Sequence, residues 1–291
     1  MKKYFTGLMM AWGNFCTVPC PKKLWDSKCQ SLMLGLLPTI GLVIGLLWAS
    51  IYFGLVYLAF PFLAVSFIVT FLPYGLSGFI HLDGFMDCND AILSRKPLED
   101  KQRILKDSHT GAFAVISVVF LLLGAFSFMS TSISLGIDFV NLVMIAILSR
   151  SIAALEVLSS KPMKTSQYVV MNENKNESDA DTSNGMESSD KENLNEASEL
   201  PENTKSVETQ NPISKKSGII TLLVQLVLYL ALGFIFSSFY AATALVCGTV
   251  VIATLIAITY AKKQLGGMNG DIAGFGIIWG ELFGIFALML C

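Results

Sequence analysis

The chain is expected to be all-α, a polytopic membrane helix bundle of about seven transmembrane helices interrupted by an acidic cytoplasmic insertion. Three observations lead there. Hydrophobic residues make up 53% of the 291 and charged residues only 14%, a balance found in membrane proteins rather than in soluble domains. Seven apolar stretches approach the roughly 20 residues needed to cross about 30 Å of hydrocarbon. The lysines, finally, are confined to four segments that seven crossings would bring to one side.

Taken in order, the first element is the segment that opens "MKKYFTGLMMAW". Its apolar part is short, is broken by Gly13 and Asn14, and is followed by no small-x-small cleavage site. It reads as an interfacial helix leading into the first span rather than a targeting signal. The spans are expected at 32 to 50 and 53 to 73, separated by a very short turn, then at 112 to 130 and 139 to 158. Three more follow at 218 to 237, 239 to 260 and 272 to 290. Fusing the first two would give a stretch of about 40 residues, too long to cross a bilayer straight.

Charge gives the orientation. Lysines fall in the N-terminal stretch, the 81 to 111 loop, the 161 to 217 loop and the turn at Lys262 and Lys263, whereas the opposite turns near 51, 131 to 138 and 238 carry no Lys or Arg. The N-terminus and the charged loops are therefore expected in the cytoplasm and Cys291 outside, in the cell membrane. The segment from Met171 to Asn211 is rich in Asn, Glu, Ser, Asp and Thr and holds 11 of the 22 acidic residues with only three lysines. It cannot bury enough apolar surface to offset the entropy of ordering it, and reads as a disordered tether. Three parts result: 1–165 with four spans, the acidic linker 166–216, and 217–291 with three spans. Outside 171–211 the chain has 17 basic and 11 acidic residues, so the net charge of −2 hides a basic face. The six cysteines show no CxxC spacing and no neighbouring histidine, and no metal is assigned to them.

Three polar islands interrupt this pattern. In "HLDGFMDCND" a helix would place Asp83, Asp87 and Asp90 within an arc of about 60°. Three carboxylates on one face repel one another unless a cation sits among them, and an all-oxygen set favours Mg²⁺ or Mn²⁺ over zinc. Because Mg²⁺ is usually shared between a few carboxylates and substrate phosphates, a diphosphate is the natural companion. Gly84 weakens the helix on which this depends. The sequence "SRKPLEDKQRILKDSHTGAF" then supplies Arg95, Lys96, Lys101, Arg103 and Lys106, followed by Asp107, Ser108 and His109. Cations close behind metal-binding carboxylates suit a bridged diphosphate, although lysines at a membrane face also serve as anchors.

The third arginine, Arg150, lies within the fourth span, about eight residues from its cytoplasmic end, where a charge needs a cavity or a partner. Glu156, nearer the interface, reads as exposed. The last island, "LGGMNGDIAG", offers Gly267 and Gly270 for close backbone approach, and Asn269 and Asp271 as oxygen donors or helix caps. All three islands fall on the side assigned to the cytoplasm, which argues for a single site.

The stretches "HLDGFMDCNDA", "RILKDSHTGAF", "LSRSIAAL" and "LGGMNGDIAGFGIIWGEL", in this order and separation, resemble the cobalamin synthase family, adenosylcobinamide-GDP ribazoletransferase. The resemblance covers about 1 to 165 and 215 to 291. It implies a Mg²⁺-dependent membrane enzyme that joins adenosylcobinamide-GDP to α-ribazole, or its 5′-phosphate, releasing GMP. The family's Asp-rich motif falls on Asp83, Asp87 and Asp90, its Lys-Asp-Ser motif on Lys106, Asp107 and Ser108, and its Gly-Gly-x-x-Gly-Asp motif on Gly266 to Asp271, with Arg150 at its fourth-span arginine. The metal is then expected on Asp83, Asp87 and Asp90. Substrate would contact Arg95, Arg103, Lys106, Ser108, Arg150, Gly267, Asn269 and Gly270. Asp107, His109 or Asp271 would take the hydroxyl proton. Ala91 stands where many members have Gly and His109 where many have Arg, and the acidic insertion replaces a shorter loop. Small-molecule substrates and the lipid bilayer are the expected partners, with self-association open and no nucleic acid. Two rival readings fit less well: a CDP-alcohol phosphotransferase motif would continue Asp83-Gly84 with Ala-Arg, and a cation transporter would carry its acids deep within spans.

Overall fold

A computed structural model describes residues 2–163 and 214–291. The expected acidic linker, 166–216, therefore lies outside the described residues except for its last three positions, where a helix already begins at Lys215. The described residues form helices and turns with no strand beyond one isolated bridge.

The N-terminal segment is a helix, α1 (Lys2–Phe15), followed by a 3-10 turn at Ser27–Cys29 and a short α2 (Gln30–Gly35). Among the described residues, six helices are long and apolar enough to cross a membrane: α3 (Leu37–Tyr57), α7 (Ala112–Leu135), α8 (Phe139–Ser159), α9 (Lys215–Phe236), α10 (Tyr240–Leu265) and α11 (Gly270–Leu288). Five of these match expected spans to within a few residues. The first expected span is displaced, because the helix restarts at Leu37 with Pro38 in its first turn, where a missing backbone N–H does no harm.

The second expected span is a broken one. Pro61 caps α4 (Phe62–Leu76), whose 15 residues rise only about 22 Å. The chain then turns through 87° into α5 (Ile80–Leu93). Gly78 and Phe79 make the corner, both left-handed at φ 66° and 60°. Turned so sharply, α5 does not continue α4 as one straight span; its carboxylate-bearing part lies against the first residues of α7 and α11, at Gly111 and Asp271, and we read that part as lying outside the spans. The stretch expected as a loop at 81 to 111 is thus largely helical: α5 and then α6 (Leu98–Ile104).

At the centre stand α8 and α11, with 83% and 72% of their apolar stretches buried, while α9 (11%) and α7 (22%) are peripheral. Glycines set the close approaches, as small residues do between membrane helices. A methyl on Gly41 of α3 would stand 2.6 Å from the Ala146 carbonyl of α8. On α11, Gly276 and Gly284 accept Ile258 and Val250 of α10 in the same way. Large side chains on the outer helices, such as Phe120 and Val227, point outward, as they would toward lipid.

Candidate active site

The polar islands come together at one end of the bundle, where α8 and α10 finish and α7 and α11 begin. There α5 crosses α11 at Gly84, whose absent side chain leaves room for the Asp271 backbone: a methyl would be 2.8 Å from the Asp271 Cα. Gly84 was expected to weaken the helix, and its value lies in this contact instead. The crossing is completed by Gly274 under the His81 backbone and by Phe85 stacked on Phe275 at 5.7 Å. At the far end of α5 the Asp90 carboxylate packs directly against Gly111, the N-cap of α7.

This crossing gathers four carboxylates. Asp83, Asp87 and Asp90 share one face of α5, and Asp271 joins them from the first turn of α11. The Asp87 carboxyl is pushed up to about 7, by burial first and then by the charges of Asp83, Asp271 and Asp90. None of the ion pairs among the described residues neutralises these four. As placed, no three His, Cys, Asp or Glu side chains among the described residues close into a ready-made metal cage. Partly open carboxylates short of a counter-charge nonetheless suit a hard cation that also takes substrate oxygens.

The "GGMNGD" island is pinned rather than free. Met163 N donates to the Met268 carbonyl (2.9 Å) and Met268 N to the Lys161 carbonyl (3.1 Å). Gly267 is needed because a methyl there would meet the Met163 backbone at 2.8 Å. Asn269 caps α11 by accepting from Ile272 N (2.9 Å), and its amide donates to the Asp271 carboxylate (2.7 Å). Asn269 therefore aims Asp271, while Gly270, the first residue of α11, is half-buried beside it.

The basic stretch divides by exposure. Arg95, at φ 55°, is exposed, as are Lys96, Lys106 and Ser108. Arg103 pairs with Asp100 (2.8 Å) on the exposed side of α6. Lys101, an expected anchor, is instead buried and donates to Gln264 (2.7 Å), while Gln102 donates to the Leu265 carbonyl (2.8 Å), so α6 is clamped to the end of α10. In the turn before α7, His109 Nδ1 donates to Asp107 (2.7 Å), as does the His109 backbone N–H (3.0 Å). These bonds hold the Asp107 carboxyl below the usual carboxylate range.

Two sequence expectations are corrected. Arg150 does not face the site. Its guanidinium donates to Glu281 (2.7 Å), to Ser77 Oγ (2.8 Å) and to the Ala146 carbonyl (3.1 Å), and it is fully buried. A long cation in an apolar layer is satisfied more cheaply by a fixed carboxylate than by a transient ligand. Glu156 is not a free surface acid either, since it pairs with Lys262 and accepts from Ser160 Oγ (2.9 Å). Glu281 escaped the sequence reading, although a lone acid in "IIWGELFG" carries the same signal as Arg150.

These features define a multi-pass helical membrane protein with a carboxylate site built across one end of its bundle. The chain belongs to the cobalamin-5-phosphate synthase family, whose profile matches residues 7–180 and 198–289. Among curated proteins, an adenosylcobinamide-GDP ribazoletransferase of Clostridium perfringens (strain 13 / Type A) is 34% identical over 288 residues, covering 99% of both chains. One of Clostridium botulinum (strain Alaska E43 / Type E3) is 30% identical over 293 residues, covering 100% of this chain and 99% of its own. Another, of Halalkalibacterium halodurans, is 39% identical over 123 residues, or 42% of this chain and 47% of its own. No solved structure matches the chain significantly.

Proposed function

We propose that this protein joins adenosylcobinamide-GDP to α-ribazole, free or as its 5′-phosphate, with release of GMP. The observation that carries the reading is the gathering of Asp83, Asp87, Asp90 and Asp271 where α5 crosses α11. It agrees with the activity for which relatives that align along nearly the whole chain are named.

Asp83, Asp87 and Asp90 would hold Mg²⁺, which when bound supplies charge neutralisation to a diphosphate. Asp271, aimed by Asn269, closes the same cluster. The exposed Arg95 and Lys106 lie free to pair with the outer phosphate oxygens, and Arg103 does so by exchanging Asp100 for phosphate. In the transfer, a ribazole hydroxyl oxygen bonds to the phosphorus nearer the corrinoid, the bridging P–O bond breaks, and GMP departs with that oxygen. Asp271 is committed to the cluster, so the hydroxyl proton falls to the exposed Asp107–His109 pair, in which the carboxylate orients the imidazole. Such a transfer depends mainly on positioning and charge, and needs no covalent nucleophile.

The deciding experiment is a transfer assay on membranes carrying the wild type or Asp83→Asn, Asp87→Asn or Asp90→Asn. Adenosylcobinamide-GDP, α-ribazole phosphate and graded Mg²⁺ are supplied, and the corrinoid product and GMP are scored. Product from the wild type, with loss of activity or a much higher Mg²⁺ requirement in equally abundant mutants, is the expected result. A folded wild type that makes no product ends the reading.

A further inference from the structure

A cavity of about 630 Å³ lies beside the acidic face, between the end of α1 and the α4–α5 corner. Asp83 lines it on one side, and Asn14, Thr17 and Phe79 on the others. Its size falls in the range of small-ligand sites, about 300–1,000 Å³.

The corner itself is unusual. Phe79 is a bulky residue held left-handed at φ 60°, yet the residue is 56% exposed instead of buried to compensate. Left-handed geometry is costly for a bulky side chain, and such strain persists where the surroundings over-determine it, often at ligand sites. Here the surroundings are specific. Thr17 N and Oγ1 donate to the Leu76 carbonyl (2.9 and 3.2 Å), tying the segment after α1 to the end of α4. Arg150 holds Ser77 Oγ at 2.8 Å from beneath. The Phe79 carbonyl, in turn, accepts from Asp83 N (2.9 Å), so the ring and the first carboxylate of the cluster are one helical turn apart on a fixed backbone. Across the cavity the Asn14 amide donates only to the Met33 thioether (3.4 Å), leaving its oxygen for an incoming N–H.

From this geometry we infer that the cavity is a nucleoside subsite: a planar base stacks on Phe79 beside Asn14, and its phosphate end points toward Asp83. The inference rests on the proposed transfer, in which two nucleoside phosphates take part. Guanosine monophosphate and ribazole phosphate share the required chemistry, a flat heterocycle on a ribose phosphate. Stacking on an aromatic side chain contributes about fivefold to a hundredfold in affinity per base.

The test is equilibrium binding of GMP and, separately, of α-ribazole 5′-phosphate to the purified full chain in detergent, alongside turnover of the wild type. Phe79→Ala and Phe79→Gly should each weaken one of the two nucleotides about fivefold or more, and Phe79→Trp should bind it as the wild type does. The affected nucleotide names the occupant. Phe79→Gly separates ring from strain, since glycine adopts the left-handed corner freely. Binding unchanged in Phe79→Ala, binding restored by Phe79→Gly, or equal weakening of both nucleotides overturns the inference. If those results accompany normal wild-type turnover, the subsite alone fails and the transfer reading stands. A wild type that binds neither nucleotide and forms no product removes both.

Discussion

Arg150 of α8 and Glu281 of α11 form an ion pair 2.7 Å long, 0% and 1% exposed, near the middle of two membrane-spanning helices. Arg150 also holds Ser77 at the α4–α5 corner, so a single side chain links both central helices to the turn from which the acidic helix starts. Removing one member of such a pair strands the other charge, at a cost of about 3–5 kcal/mol. Glu281→Ala should therefore lower the thermal unfolding midpoint in detergent strongly, and the double replacement Arg150→Met with Glu281→Leu should recover much of it. An unchanged midpoint in Glu281→Ala would remove the pair's structural role.

Asp87 gives the site a pH dependence with a definite sign. Its folded pKa of about 7 lies above its ordinary value of 3.8, so between those values the folded protein holds a proton that the unfolded chain has released. Stability without divalent cation is then expected to fall as pH rises from about 4 to 7. A cation that binds the ionised cluster reverses this, so the rise in unfolding midpoint on adding Mg²⁺ should be larger at pH 8 than at pH 5.5. Asp87→Asn should flatten that difference. A Mg²⁺ effect that is absent, or equal at both pH values, would argue against a metal at Asp87.

Gly111 has an ordinary extended backbone, φ −84° and ψ 169°, so its lack of a side chain is required for room and not for conformation. A methyl there would overlap the Asp90 carboxylate. Gly111→Ala should leave the bundle folded while displacing Asp90, with turnover reduced about a hundredfold, as expected for misplacement of a positioning group by about 1 Å. Turnover at the wild-type level would mean that Asp90 works from another position.

The Asp107–His109 pair is exposed, its side chains 53% and 91% accessible, and so contributes little to folding. Asp107→Asn and His109→Ala are expected to keep the wild-type unfolding midpoint and to lose about 10²–10⁴ in turnover, with the double mutant no worse than the weaker single one. Full activity in His109→Ala would move the proton-accepting role to Asp271.

The helical class, the approximate spans and the three polar islands were legible in the sequence, because hydropathy, charge sidedness and residue chemistry are local properties. The 60° arc of Asp83, Asp87 and Asp90 followed from helical spacing alone, and the helix is there. Resemblance of the motifs led to the family that the whole-chain comparisons show. Tertiary structure decided the rest. Apolar composition does not mark where a helix bends, so the corner at Gly78 and Phe79, which turns α5 across the bundle, was invisible. Nor does a lone charge reveal its partner: Arg150 found Glu281 131 residues away, and Asp271 reached Asp87 only because Gly84 lets two backbones touch. Which residues can do chemistry is written along the chain, whereas which of them meet depends on long-range packing that brings distant segments within a few ångströms.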